Sequence, residues 1–327
     1  MKFAVGYYQQ DEMERPFLYT LETLGSRIAE IYFPWPGVAS GRTAVWSVED
    51  IGNLIDSLIY ARENGIGLDL LFNANCYGDN AISKALENTV IRTVQDISAQ
   101  AGGLDTVTTT SPAVAHIVKA HFPRIRVRAS INMQIRRPES CLPLFGLFDE
   151  FYLPKECNYS PAAINAWKEA LGDHPLYMLA NSGCMPYCPG QIFHDNMVAH
   201  EAGIAEKQNM TGWVPYVCWN WYQKHPEKMI GGTWVRPEDI SAYEKWFSVV
   251  KLATRINRHP FRVVSAYAQG GFHGNILNLM EPDHSSILRD AWLDNTAFPS
   301  DWLQSRWDGK DPDAGTFEKV YLILNST

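Results

Sequence analysis

Short runs that are apolar on nearly every residue recur along this chain, and between them lie stretches whose apolar residues return every three or four positions. A run apolar on both faces is the pattern of a strand covered on both sides, as in a parallel sheet under helices. Strands are therefore expected at residues 3–7, 28–33, 68–72, 106–109, 127–131, 150–153, 176–179 and 249–254. Helices fit between them at 48–64, 82–99 and 112–121, the first with Ile51, Leu54, Ile55, Leu58 and Ile59 on one face. Their starts are marked by Ser47 before Val48-Glu49-Asp50, by Ser111-Pro112 and by Ser160-Pro161, each a cap residue or a proline at the first helical position. Eight strands with helical crossovers predict an α/β fold, a (β/α)₈ barrel of the TIM type filling residues 1–327 as one domain. A doubly wound open sheet shares the same alternation and is the alternative. The longest irregular stretch, 181–232, falls between the seventh and eighth strands and carries Pro186, Pro189, Pro215 and Pro226, so it reads as a functional insertion.

Composition narrows the setting. With 327 residues and 46% hydrophobic content the chain can bury a large core. A formal charge of −8 argues against a broad nucleic-acid surface, so an RNA substrate is not indicated by charge. The start, Met1-Lys2-Phe3-Ala4-Val5-Gly6-Tyr7-Tyr8, leads into Asp11-Glu12-Met13-Glu14-Arg15 and lacks the shape of a signal peptide. No apolar run approaches the roughly 18 residues of a membrane span. The expectation is a cytoplasmic protein with no membrane partner, in which six cysteines are ligands, catalysts or core residues rather than disulfides.

Position separates those cysteines. Cys76 ends Leu70-Leu71-Phe72-Asn73-Ala74-Asn75-Cys76, and Cys184 and Cys188 follow the strand that contains Tyr177-Met178-Leu179. Residues just past barrel strands converge on one mouth, where chemistry takes place. Cys218 lies in the insertion. Gly183, Pro186, Pro189 and Gly190 keep the Cys184-Met185-Pro186-Tyr187-Cys188 loop from being a helix interior, so both thiols can face one metal. Cys76, Cys184, Cys188 and Cys218 are thus the candidate ligands of a [4Fe–4S] cluster, with zinc as the alternative. Cys157, after the sixth strand, is the rival to Cys76, whereas Cys141 in apolar surroundings reads as core.

Other signals are broken. The CxxxC spacing is shared with radical S-adenosylmethionine enzymes, but Gln191 stands where their third cysteine belongs. His200-Glu201 begins like a zincin helix, and Ile204 replaces its second histidine. No G-x-S-x-G elbow or P-loop occurs. Polar residues at strand ends are candidates for a pocket: Tyr7, Glu30, Asn73, Asn75, Asn132, Lys155, Glu156, Asn181, Lys251 and Arg255, with His194 as an acid or base. Lys251 and Arg255, four apart on the last strand, share a face and suit an anionic small-molecule substrate. Trp213, Trp219 and Trp221 beside Cys218 read as a hydrophobic shell around a cluster or as a docking surface.

Several segments resemble the collagenase-like peptidase family, peptidase family U32. They are Asn181-Ser182-Gly183-Cys184-Met185-Pro186-Tyr187-Cys188, Trp234-Val235-Arg236-Pro237-Glu238-Asp239-Ile240, Val249-Val250-Lys251-Leu252-Ala253-Thr254-Arg255, Leu153-Pro154-Lys155-Glu156 and Gly274-Asn275-Ile276-Leu277-Asn278-Leu279. The resemblance implies a barrel with a four-cysteine [4Fe–4S] cluster, and oxygen-independent hydroxylation of the kind some members perform on quinone precursors or RNA bases. It also implies that a second protein of the same family can serve as partner. Lys155 stands where the family usually has arginine, and the cysteine spacing differs from that of those hydroxylating members. The expected activity is iron–sulfur hydroxylation or related redox chemistry under anaerobic conditions. The alternatives are a peptidase and a non-catalytic metal-binding partner subunit.

Overall fold

The computed structural model describes residues 1–41, 46–205, 207, 217–285, 288 and 291–323. Eight parallel strands, β1 (Lys2–Gly6), β2 (Ile28–Phe33), β3 (Gly67–Phe72), β4 (Thr106–Thr109), β5 (Arg126–Ala129), β6 (Phe151–Tyr152), β7 (Leu176–Leu179) and β8 (Val249–Leu252), run in the order β5-β4-β3-β2-β1-β8-β7-β6. A parallel bridge between Arg128 and Glu150 joins the two ends, with Ala129 N donating to Glu150 O at 2.9 Å. The sheet is therefore a ring, and the open-sheet alternative falls away because no edge is left to form it.

Helices α1 (Phe17–Leu24), α2 (Val48–Glu63), α3 (Lys84–Ala101), α4 (Pro112–His121) and α5 (Pro161–Leu171) cover the outside. Ser47 Oγ accepts from Asp50 N while Asp50 Oδ2 accepts from Ser47 N, closing a capping box on α2. Ser83, Ser111 and Ser160 cap α3, α4 and α5. Two crossovers depart from the pattern. Between β5 and β6 a 3₁₀ segment, Pro138–Leu144, replaces a helix, since Pro143 inside it removes a helical donor. Before β8 the chain forms another 3₁₀ segment, Pro237–Tyr243.

The insertion is partly helical: α6 (Gln191–Ala199), α7 (Glu201–Ala205) and α8 (Val217–Lys224). Beyond β8 come α9 (Pro260–Gln269), a small antiparallel pair β9 (Ala291–Leu293) and β10 (Tyr321–Ile323), and between these α10 (Trp302–Trp307) and α11 (Ala314–Val320). Strands three residues long and separated by two short helices leave too little periodicity for the sequence to announce them. Among the described residues no helix is long and apolar enough to cross a membrane.

The main apolar core lies between the sheet and its helices, and a separate small cluster of Ala4, Tyr32 and Leu71 sits with Val249. Gly6 ends β1 where a Cβ would come within 2.6 Å of the Tyr32 ring and 2.7 Å of Arg255 Cγ, so its hydrogen leaves room for both side chains.

The strands also enclose a charged belt. Arg128 is fully buried and donates to Glu30 through both Nη1 and Nη2, to Asp69 Oδ2 at 3.1 Å and to Glu150 Oε2 at 2.6 Å. Its guanidinium carbon stands 4.0 Å from the centre of the Tyr177 ring. Thr108 Oγ1 donates to Asp69 Oδ2 at 2.7 Å. Burial, assisted by Glu30, pushes the Asp69 carboxyl up to about 7 against the pull of Arg128.

Candidate functional site

Past the ends of the strands the insertion and the residues after β8 enclose a cavity of about 360 Å³. Tyr32, Leu71, Leu179 and Lys251 contribute from the strands, and Cys184, Cys188 and Cys218 line the same cavity. Sequence alone leaves Cys184 and Cys218 34 positions apart, and the fold brings them together.

The loop that carries the first two thiols is fastened at its root. Asn181, fully buried, donates from Nδ2 to Ala253 O and Leu279 O, both at 2.8 Å, and accepts from Ala253 N at 2.7 Å. It is thus a clamp between β7, the end of β8 and the following chain rather than a pocket group. Gly183 N donates to Glu281 O at 3.0 Å, and His284 Nε2 donates to Gly183 O at 2.5 Å. Burial holds the His284 ring below the usual histidine range, which keeps it neutral for that bond. A Cβ on Gly183 would lie 2.7 Å from Pro282 O and 3.0 Å from His284 Cδ2. Gly183→Ala is therefore expected to cost about 1–3 kcal/mol, read as a fall in denaturation midpoint. A loss of metal binding larger than the loss of stability would show that the loop itself had moved.

The third thiol is on α8. Burial first, then the neighbouring Cys184 and Cys188, push the Cys218 thiol up to about 11. In chemistry this set of soft donors fits a thiolate-held metal cluster. Among the described residues no three His, Cys, Asp or Glu side chains already form a compact metal cage, so the thiols share the cavity wall without meeting at one point.

The remaining expected residues divide. Asn73, Lys155, His194, Lys251 and Arg255 line the cavity with the cysteines, as does Asn132. Glu30 does not, because it is turned into the barrel by Arg128. Glu156 lines a shallower neighbouring pocket, where its Oε1 accepts from Tyr187 N at 3.2 Å. Cys76 is not on the cavity: its Sγ accepts from Gly78 N at 3.4 Å at the start of a 3₁₀ turn, Gly78–Asn80. Cys157 is also off the cavity, packed against the core. Cys141 is fully buried, and burial pushes its thiol up to about 12. Trp219 lines the cavity, whereas Trp221 faces a second groove with Met185 and Pro186. Trp213 lies outside the described residues.

No protein-family model matches the chain. It is similar to the uncharacterized protease MJ1657 of Methanocaldococcus jannaschii, with 25% identity over 292 residues, 82% of this chain and 80% of that protein. In fold it is similar to the U32 peptidase Mk0906, with a TM-score of 0.54 and 18% identity over 77% of this chain and 92% of that one. The likeness to that U32 peptidase is one of fold, and it agrees with the eight-stranded barrel. One of the segments that resemble the U32 family in sequence is scaffold. In Trp234-Val235-Arg236-Pro237-Glu238-Asp239, Arg236 pairs with Asp239 through Nε at 2.9 Å and Nη2 at 3.1 Å. Glu238 Oε1 accepts from Phe272 N at 2.7 Å and Asn295 Nδ2 at 2.8 Å, fastening the 3₁₀ crossover to the chain beyond α9.

Sequence reasoning missed Asp69, Arg128 and Glu150, which surround Glu30, and Arg258, Glu281 and Asp283 at the cavity. The belt did leave a signal. Glu30, Asp69 and Lys251 are each the one charged residue of its strand, Arg128 shares β5 with Arg126, and all four stand at positions that register toward the barrel interior.

Proposed function

We propose that this chain is an iron–sulfur enzyme of the U32 peptidase family in which Cys184, Cys188 and Cys218 hold a [4Fe–4S] cluster beside a substrate cavity for an anionic compound. The observation that carries the reading is the meeting of three thiols from two distant segments on one cavity that also exposes Lys155, Lys251 and Arg255. A thiolate-held cluster supplies one-electron chemistry, the kind an oxygen-independent hydroxylation or related redox reaction requires. The chain's own residues bind and orient. Lys155 offers positive charge to an anionic substrate, Asn73 shapes the wall by accepting from Gly41 N at 2.9 Å, and Trp219 adds apolar cover beside Cys218.

The test is purification without oxygen, followed by iron and acid-labile sulfide analysis and a visible spectrum. Stoichiometric iron and sulfide with a broad visible band are expected. A colourless protein holding one zinc would overturn the reading. Peptide cleavage that persists after the metal is stripped would instead favour the peptidase that the relatives' names suggest.

A further inference from the structure

Two lysines stand out among the buried charges. Lys155 and Lys251 are only 6% and 7% exposed, and both line the mouth cavity. The neighbouring buried ions are paired: Arg128 by Glu30, Asp69 and Glu150, and Arg236 by Asp239. Among the described residues neither lysine Nζ has a hydrogen-bond acceptor or a carboxylate within ion-pair distance. A buried ammonium without a counter-charge is costly. Such an arrangement is stable where a ligand brings the charge or where the amine sheds its proton.

Lys251 has the environment of the second kind. Its Nζ rests 4.0 Å from the centre of the Tyr32 ring and 5.1 Å from that of Tyr152. The groups that bear on it are Glu30 and Tyr32 from β2, Asp69 from β3, Arg128 from β5, Tyr152 from β6 and Arg255 past β8. Glu30 and Asp69, whose charges would keep it protonated, are engaged by Arg128. Burial is the main cause that brings the amine down to about 8, with Arg128 and Arg255 pushing the same way and Asp69 and Glu30 opposing. Against an ordinary lysine near 10.4, the free-base fraction at neutral pH rises on the order of a hundredfold.

We propose that Lys251 is a nucleophilic amine that condenses with the aldehyde or ketone of a small anionic compound, whose negative group is held by Lys155. The Nζ lone pair forms a bond to the carbonyl carbon as the C=O π pair moves onto oxygen, which takes a proton while the nitrogen gives one up and so regains its lone pair. A second proton on that oxygen lets it leave as water while the nitrogen lone pair forms C=N, and the nitrogen then returns its proton to solvent. Amine and carbonyl become imine and water, with no electrons gained or lost. The lysine on the last strand thereby takes a covalent role that needs neither iron nor sulfide, so the inference stands or falls apart from the cluster.

The test uses the full chain, purified without oxygen, incubated with glyoxylate and cyanoborohydride over a pH range spanning 8, and mapped by mass spectrometry. Trapped imine is expected on Lys251, at neutral pH at least about tenfold faster than on any surface lysine. The sign follows from the neutral amine being the reactive form: labelling rises with pH through about 8 and then levels, where surface lysines are still gaining. Lys251→Arg and Lys251→Met are each expected to lose this adduct while keeping a native circular dichroism spectrum. Lys155→Met is expected to slow labelling by glyoxylate about tenfold more than labelling by the neutral aldehyde propanal. Adducts spread evenly over surface lysines, or none on Lys251 in folded protein, would overturn the proposal. Equal slowing of glyoxylate and propanal in Lys155→Met would remove the anion role from Lys155.

Discussion

Arg128→Ala is expected to lower the stability of the barrel by about 3–5 kcal/mol or more, the range for stripping one partner from a buried ion pair. The physical reason is the number of charges that one guanidinium serves. Glu30 and Asp69 come from β2 and β3 and Glu150 from the bridge residue just before β6, and they are 7%, 0% and 1% exposed, so none can turn to water when the arginine is gone. Lysine is a poor substitute there, because a point charge cannot present a planar fork to three carboxylates at once. The cost belongs to the charges left unpaired, Glu30 and Asp69 above all, since Glu150 keeps Arg126 Nε at 3.0 Å from its Oε1. Combining Arg128→Met with Glu30→Gln, Asp69→Asn and Glu150→Gln should therefore recover much of the loss. Denaturant unfolding followed by tryptophan fluorescence measures both. An Arg128→Ala midpoint close to wild type would mean that the belt is hydrated and its charges are screened.

The second large effect concerns the thiols. Cys184→Ser, Cys188→Ser and Cys218→Ser are each expected to lose most of the bound iron and sulfide, a deficit beyond the roughly 10–100-fold that even outer-shell changes cost a metal site. A hydroxyl has nearly the volume of a thiol but is a hard, weakly acidic donor, so the fold should survive where the metal does not. Cys76→Ser and Cys157→Ser act as internal comparisons, since neither side chain lines the cavity. They are expected to keep wild-type iron. If Cys76→Ser lost iron as fully as Cys218→Ser, the Gly78–Asn80 turn would have to rearrange on metal binding. If none of the five changed the metal content, the thiol-held cluster itself would be refuted.

The strands were readable because burial on both faces imposes a composition that few other structures share. All eight expected strands overlap those observed, and the helix expected at 112–121 matches α4 at both ends, with Ser111 and Pro112 in their anticipated places. The cysteine loop was readable for a related reason, since Gly183, Pro186 and Pro189 exclude a helix and put Cys184 and Cys188 just beyond a strand. The same positional logic also selects Cys76, which does not line the cavity. It too follows an apolar strand, yet its Sγ is taken by Gly78 N at the start of the turn that follows. Glu30 was legible as an unusual residue in its strand, but its task was not: it serves Arg128 inside the barrel instead of facing the mouth.

The sequence by itself determined the alternation of strand and helix, the number and phase of the strands, the capped helix starts and the loop that presents two of the thiols, because these follow from periods and turns a few residues long. Only the tertiary structure decided which charges meet. Arg128 reaches Glu30 across 98 positions and Asp69 across 59, and Cys218 joins Cys184 and Cys188 through an insertion whose path no local pattern specifies. Such contacts arise from closing the strands into a ring, which makes neighbours of residues that share nothing in sequence but their inward phase.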